Sequence, residues 1–480
     1  MRKNALAINH TAAAMALVAF GATVAGAYAL GRQQAVGPET RAPAAPVQTS
    51  PHPGRPGAAI AGNLAQVAAQ SAPTAAASEV PPAQGREGVV GEDPSQKFTH
   101  FRVGNKNVKA IHAEGSTIWV ATSGGVIRYD TESDKFRLFD AQSGLLSNGV
   151  FYVGRIAGRI TVGTYGGGMS MYDEKADKWD TLNIPDGLGD ASVYDILEAK
   201  NGDIWIATWS GANRVRGGAL KDRSKWDLFT VENSNKGLPN DWVYGLAEGK
   251  NGDIWLATEG GLARFAGGKW ENWNHARGLG ADYEQVKADI EFKSDPGKAS
   301  VHHAKQKQEM GLTDVDQAYN PNYIVSLEVD DNGVVWAGTW GGGLARFDGK
   351  SWKNYTTADG LPGNHVFMLQ RDGANRLWIG TNKGLARLVD GKFKVLTTRD
   401  GLFADAVFSM ASSPDGTMWV GSFGGVAHLR PVAHRGSSRA SARRGAAVGW
   451  SAFRLRAARS RTRRRERPPR GSSRGRLRRG

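Results

Sequence analysis

Ile204-Trp205-Ile206-Ala207-Thr208 returns six more times along this chain with small changes. The other copies are Ile118-Trp119-Val120-Ala121-Thr122, Ile160-Thr161-Val162-Gly163-Thr164 and Ile254-Trp255-Leu256-Ala257-Thr258. The last three are Val335-Trp336-Ala337-Gly338-Thr339, Leu377-Trp378-Ile379-Gly380-Thr381 and Met418-Trp419-Val420-Gly421-Ser422. Their starts lie 42, 44, 50, 81, 42 and 41 residues apart. Short strands repeating every ~40–45 residues are the signature of propeller blades.

One unit, Asp359 to Phe393, shows the internal grammar. Asp359-Gly360-Leu361-Pro362 turns the chain, and His365–Gln370 is a first strand. Asp372-Gly373 makes a hairpin, because both residues tolerate the positive φ such turns need. Leu377–Thr381 is a second strand, Leu385–Val389 a third, and the segment from Lys392 to Thr397 a fourth. Four antiparallel strands make one blade. Side chains alternate across a strand, so Ile204 and Ile206 face one way while Trp205 and Ala207 face the other. Apolar residues on both faces suit a sheet packed between two neighbours; a one-sided surface sheet would alternate apolar with polar. The tryptophans of the repeat are therefore expected in the packing between blades, not in a binding box.

Counting strands predicts how the ring closes. Fourth strands fall at Phe136–Phe139, Trp179–Leu182, Trp226–Thr230, Lys269–Trp273, Trp352–Thr356 and Phe393–Thr397. The seventh repeat ends at Val426-Ala427-His428-Leu429-Arg430-Pro431 without one, whereas Lys97–Val103 is a strand-like segment with no unit of its own. The expectation is an all-β, seven-bladed propeller of four-stranded antiparallel blades over residues 96–431, closed by the N-terminal strand pairing with the last blade. Closure removes exposed strand edges.

The turn grammar resembles the two-component regulator propeller repeat. Gly360-Leu361-Pro362-Gly363-Asn364-His365-Val366, followed by Leu377-Trp378-Ile379-Gly380-Thr381-Asn382-Lys383-Gly384-Leu385-Ala386-Arg387, is a near-consensus copy, and Gly237-Leu238-Pro239-Asn240-Asp241-Trp242-Val243 is another. The second unit departs, with Thr161 in place of Trp. In that family the blades form extracytoplasmic sensor regions of membrane histidine kinases and similar receptors. The resemblance implies sensing through a separate histidine kinase or receptor, since no phosphoacceptor His pattern or Gly-rich ATP motif follows the repeats.

Outside the repeats, residues 1–31 start basic (Arg2, Lys3), continue uncharged through Thr11–Leu30 and contain Ala27-Tyr28-Ala29. This reads either as a signal peptide or as a membrane anchor whose run of about 20 residues is long enough to span a bilayer. Both place the repeats outside the cytoplasm, in the periplasm or at the cell surface. Residues 32–95 are rich in Ala, Pro, Gln and Gly without apolar periodicity, the composition of a disordered linker. Residues 432–480 hold 17 of the arginines, one glutamate and no lysine, so this tail carries a formal charge of +16 and the rest of the chain −1, which together give the net +15. Its abrupt change of composition reads as a disordered, out-of-frame C-terminus rather than as a nucleic-acid-binding arm. The chain has no cysteine, which excludes disulfides, thiolate metal sites and a lipidated cysteine.

Subtracting what the repeats share leaves the residue after each closing Thr or Ser: Ser123, Tyr165, Trp209, Glu259, Trp340, Asn382 and Phe423. Variety on a fixed frame is what recognition needs. Tyr165, Trp209, Glu259, Trp340, Asn382 and Phe423 are the candidate ligand-binding residues, with aromatic stacking on a saccharide or other flat ligand as the expected chemistry. The 81-residue spacing adds about 39 residues to an ordinary unit. They fall around 280–320, on the same face, with Glu284–Phe292 and His303–Met310 as expected helices and a lid or partner surface as the expected role. No recurring ligand spacing among His275, His302, His303 and His365 points to a metal, and Asp330-Asp331-Asn332-Gly333 reads as a hairpin, lacking the closing Glu of a calcium loop. No cofactor is expected.

The function expected on these grounds is a non-catalytic sensor that binds a small molecule, saccharide or protein. Two alternatives remain open: a propeller lyase or hydrolase using Glu259, Asp241 or His365, and a structural scaffold of a surface complex. Fold alone chooses among none of them.

Overall fold

The structure, a computed structural model, describes residues 98–290 and 301–429 together with Lys298. The expected leader or anchor, the linker at 32–95 and the arginine-rich tail lie outside the described residues. The described chain is built almost entirely of antiparallel strands. The first four are β1 (Phe98–Glu114), β2 (Thr117–Thr122), β3 (Gly125–Asp130) and β4 (Lys135–Phe139). Next come β5 (Val150–Ile156), β6 (Arg159–Thr164), β7 (Met169–Asp173) and β8 (Lys178–Leu182), then β9 (Val193–Glu198), β10 (Ile204–Thr208), β11 (Gly211–Val215) and β12 (Trp226–Phe229). They are followed by β13 (Val243–Glu248), β14 (Ile254–Thr258), β15 (Gly261–Ala266) and β16 (Lys269–Trp273). After the insertion come β17 (Asn320–Val329), β18 (Val335–Trp340), β19 (Leu344–Phe347) and β20 (Trp352–Tyr355). The last are β21 (Val366–Arg371), β22 (Leu377–Thr381), β23 (Gly384–Val389), β24 (Lys392–Leu396), β25 (Val407–Ser412) and β26 (Met418–Leu429).

These strands correct the expected blade count. They form six sheets, not seven: five of four strands, and one of six in the order β25-β26-β1-β2-β3-β4. The cause is the 17-residue strand β1. Its first half pairs antiparallel with β26, from Phe98↔Leu429 to Arg102↔Gly425, and its second half pairs with β2, from Val108↔Thr122 to Glu114↔Thr117. No reversing turn separates the two halves, so hydrogen bonding runs through what strand counting takes for a boundary between blades. The closing contact between the N-terminal strand and the last repeat is present within this fused sheet.

The innermost strands β1, β5, β9, β13, β17, β21 and β25 each touch the next, and β25 returns to β1, so the sheets form a ring around a channel. The six-stranded sheet supplies two of these inner strands. Packing between sheets follows the alternation in the repeat. Ile204 and Ile206 join Met169, Met171 and Val193 in one apolar cluster, while Trp205 and Ala207 join Val243, Leu246 and Leu256 in another. The tryptophans Trp119, Trp205, Trp255, Trp336, Trp378 and Trp419 are all buried.

The polar letters of the repeat build its turns. The closing threonine is buried and bridges the reversal between the second and third strands: Thr208 Oγ1 donates to Gly211 O at 2.8 Å, Thr258 Oγ1 to Gly261 O at 2.7 Å, and Thr381 Oγ1 to Gly384 O at 3.0 Å. Gly211 itself has φ of 101° and lies against Phe229, where an added Cβ would come 2.1 Å from the carbonyl oxygen; only glycine fits this turn. The aspartate of the first hairpin anchors the tryptophan and the third-strand arginine. Asp253 Oδ2 accepts from Trp255 Nε1 at 2.7 Å and from Arg264 Nε at 2.8 Å. Asp330 does related work, accepting the backbone N–H of Asn332 and Val334 at 2.9 and 3.0 Å, which is hairpin geometry.

The insertion has its own small core, in which Ala281, Val286 and Tyr319 are buried against Tyr283, Leu312 and Val315. Residues Tyr283–Val286 and Val301–Glu309 are helical. Tyr319 Oη donates to Ala281 O at 2.7 Å, and Thr357 Oγ1 to Asp289 Oδ2 at 2.5 Å, which fixes the insertion to the following sheet's loop. Among the described residues no helix is long and apolar enough to cross a membrane.

Candidate functional site: an aromatic belt around the channel

In five of the seven inner strands the second residue follows a buried valine: Phe151 after Val150, Tyr194 after Val193, Tyr244 after Val243, Phe367 after Val366 and Phe408 after Val407; within the longer β1, Lys109 follows the buried Val108 in the same way. Beside this position the pairing register slips, between Val150 and Tyr152, between Val243 and Gly245 and between Val407 and Ser409. A bulge re-aims the side chain it carries, and here it turns these residues into the channel. With Tyr323, Val325 and Trp340 they line a cavity of about 150 Å³.

The rings form a continuous belt. Phe151 stacks on Tyr194 with centroids 4.3 Å apart, Tyr194 meets Tyr244 at 4.9 Å, and Tyr244 meets Tyr323 at 4.8 Å. Tyr323 stacks on Trp340 at 5.6 Å, Trp340 meets Phe367 at 5.9 Å, and Phe367 meets Phe408 at 5.3 Å. Lys109 closes the gap between the two ends: its Nζ lies 5.7 Å from the Phe408 centroid and 6.0 Å from that of Phe151. Lys109 is the one charged side chain among the described residues that line the cavity. Burial pulls its ammonium down from the ordinary value of 10.5 to about 7. The same burial, with Glu259 close by, pushes the Tyr244 and Tyr194 phenols well above their usual range.

The insertion flanks one side of the belt. His303, on helix Val301–Glu309, is buried and forms an ion pair through Nδ1 with the fully buried carboxylate of Glu259. The His303 ring stands edge-on to Trp242 at 5.7 Å and lies 5.7 Å from Tyr323, a belt residue. Tyr244 Oη donates to Glu259 Oε2 at 3.3 Å. One helix beyond the repeat is thereby coupled to two rings of the belt. Asn320 Nδ2 donates to Gln306 Oε1 at 2.9 Å and supports the same helix.

The structure gives each residue singled out in the sequence a definite place. Trp340 is in the cavity wall. Trp209 is buried one layer back, stacked between Trp242 at 4.8 Å and Tyr194 at 5.8 Å. Tyr165 stands edge-on to Phe151 at 6.0 Å and to Trp209 at 5.4 Å. Glu259 sits behind Tyr244. Asn382 accepts the backbone N–H of His365 at 3.3 Å, Phe423 pairs with Asn107 in the sheet, and Ser123 Oγ accepts the backbone N–H of Asn107 at 3.3 Å. The polar residues considered for an enzyme have separate partners. Asp241 accepts the backbone N–H of Val231 at 2.7 Å, Glu259 pairs with His303, and His365 Nε2 donates to Ala318 O at 2.8 Å. Burial pulls the His365 imidazole down to about 3, which keeps it neutral. Among the described residues no group of three or more His, Asp or Glu side chains is arranged to hold a metal ion.

Sequence reasoning missed the belt itself. The signal was present: the residue after the inner-strand valine is aromatic in Phe151, Tyr194, Tyr244, Phe367 and Phe408 and basic in Lys109. It is as variable against its frame as the position after the closing Thr, and a bulge hides its inward direction from simple alternation.

A closed ring of antiparallel sheets around a lined channel defines a β-propeller. The sequence model of the two component regulator propeller matches four of its repeats, at residues 187–210, 237–260, 318–341 and 360–383. Among solved structures the chain is similar to the extracellular domain assigned to the hybrid two component system BT3049 from B. thetaiotaomicron, with TM-score 0.54 and 19% identity. It is also similar to the corresponding domain assigned to BT4673 from the same organism, with TM-score 0.51 and 18% identity. Each match covers 71% of this chain but only 42% and 40% of those chains, so this chain spans less than half of their length. No curated relative matches the sequence.

Proposed function

We propose that this propeller is a non-catalytic, extracytoplasmic sensor module that binds a small ligand at the belt and signals through a separate partner such as a histidine kinase or receptor. The belt of seven rings closed by Lys109 carries this reading. It is a concave, mostly apolar site with few polar groups, the usual character of a small-molecule pocket. Trp340 contributes to the wall, while Tyr165, Trp209 and Glu259 hold the lining rings in place from behind; Asn382 and Phe423 belong to the loops and strands around them. The insertion is the natural output element, since His303 contacts both Glu259 and Tyr323. The separate engagement of Asp241, Glu259 and His365 speaks for recognition rather than turnover. The repeat family and the basic, apolar start of the chain support the extracytoplasmic placement and a tether through residues 11–30.

A thermal-shift screen of the full chain against sugars, amino acids and small aromatic acids tests the proposal. A ligand should raise the melting temperature of the wild type, and that rise should vanish in Trp340→Ala and Phe367→Ala. Binding that survives both substitutions would move the site away from the belt and overturn the reading.

A further inference from the structure

Resting on the channel-site reading above, we propose that the ligand is a small uncharged arene, a single aromatic ring with a short neutral substituent, held by ring–ring contacts within the belt. Size sets the first limit. The cavity, at about 150 Å³, matches an apolar cavity known to hold one benzene ring and falls short of the roughly 300 Å³ at which drug-sized pockets begin. An oligosaccharide or a guest of two linked rings does not fit inside it; one six-membered ring does.

Uncovered ring surface sets the second limit. Tyr323 and Trp340 are buried, whereas Phe151, Tyr194, Tyr244, Phe367 and Phe408 are only half-buried although they lie inside the ring of sheets. Water in the channel covers that apolar surface at a cost, and a guest that displaces it gains accordingly. The belt rings stand 4.3 to 5.9 Å apart, the separations at which a further aromatic ring makes offset or edge-on contacts. A saturated ring of the same size buries similar area and lacks those contacts. A sugar ring would leave most of its hydroxyls facing carbon, at a cost for each unpaired group, and the Tyr244 hydroxyl already donates to Glu259.

Charge sets the third limit. An aromatic enclosure alone would favour a cationic guest, but Lys109 already places a cation in the belt, and its charge repels a second one. Its Nζ lies over the rings of Phe151 and Phe408, at 6.0 and 5.7 Å from their centroids, so the lysine is engaged with the belt on both sides. A carboxylate guest would exchange its hydration shell for ring faces that carry partial negative charge. A neutral ring avoids both costs and leaves the contacts of Lys109 as they are.

Titration calorimetry on the full chain tests this with benzyl alcohol as the neutral arene, cyclohexylmethanol as its saturated counterpart, and benzylamine and benzoate as its charged ones. Benzyl alcohol should bind the wild type about tenfold more tightly than cyclohexylmethanol, the gain that one or two ring–ring contacts supply, and more tightly than either charged probe. Phe408→Leu should remove most of the preference for the arene over the saturated ring, and Phe367→Leu, on the neighbouring strand, should do the same. Equal affinity for benzyl alcohol and cyclohexylmethanol, or a preference that persists in both variants, overturns the arene. Tighter binding of benzoate or benzylamine overturns the requirement that the guest be uncharged. If all four probes fail while another ligand binds and is lost in Trp340→Ala, the arene is wrong and the channel reading survives. If no probe or library ligand responds to any lining substitution, both fall. Melting curves of each variant, taken first, separate loss of binding from loss of fold.

Discussion

Replacing Lys109 by methionine should stabilise the propeller in acid and at neutrality, with a gain that shrinks as the pH rises. The side chain keeps a long apolar stem in either case; what changes is the ammonium in the channel. Burial lowers its pKa from 10.5 to about 7 in the folded chain. Between those two values the unfolded chain binds more protons than the folded one, so the wild type becomes more stable as pH climbs from about 7 towards 10. Below pH 7 the lysine is charged in both states, and the full cost of burying it is present. Taken at face value that displacement is worth about 5 kcal/mol. The side chain is only half-buried, and the rings of Phe151 and Phe408 within 6.0 Å return about 1 to 2 kcal/mol by cation–π attraction. A net gain of about 2 kcal/mol for Lys109→Met at pH 6 is the expected result. Urea unfolding of wild type and variant at pH 6, 7.5 and 9 measures it, with the two curves converging towards the alkaline end. Parallel stability profiles across that range would refute the argument, because they would mean that the lysine keeps its ordinary proton affinity inside the ring. A variant less stable than the wild type at pH 6 would refute it equally, by showing that the ammonium is a net stabiliser.

Two further outcomes follow from the packing and from the insertion. Trp205→Ala empties a site between two sheets where the ring is 2% exposed and stacks on Phe229 at 5.6 Å; it should cost about 3 to 5 kcal/mol, read as a lower urea midpoint. His303→Ala removes the partner of a fully buried carboxylate and should speed amide exchange in Val301–Glu309 while leaving β14 and β22 protected, as measured by hydrogen exchange. Unchanged exchange in that helix would show that His303 does not hold it to the ring.

The frame of the ring was legible because its letters are forced by geometry that recurs. The buried Trp–Ala face, the threonine that bridges a tight reversal and the glycine that must approach a carbonyl have the same task in most repeats, so they appear as a pattern. The sheet count was not legible, since it depends on whether the chain bends between Arg102 and Asn107. Gly104-Asn105-Lys106-Asn107 has the composition of a turn, yet the backbone stays extended there and one strand serves two neighbours. Local composition states what a segment tolerates, and only the closed ring decides which of those options is used.

The candidate site was half legible, and the missed half has a physical cause. The position after each closing threonine was singled out because it varies, and Trp340 does reach the cavity. The larger contribution comes from the inner strands, where strict alternation would send Phe151 or Tyr194 towards one neighbour and the next residue towards the other. The slipped register breaks that alternation, so two consecutive residues can serve different surroundings: Tyr194 turns to the channel, while Asp195 reaches the next inner strand and accepts the Leu246 N–H at 2.8 Å. Each inner strand turns only one or two residues to the channel. With most of those places given to aromatic rings and one to lysine, the channel acquires a polarity that no single repeat possesses. The chemistry of the site therefore belongs to the differences between repeats, and the ring is the device that brings those differences within contact of one another.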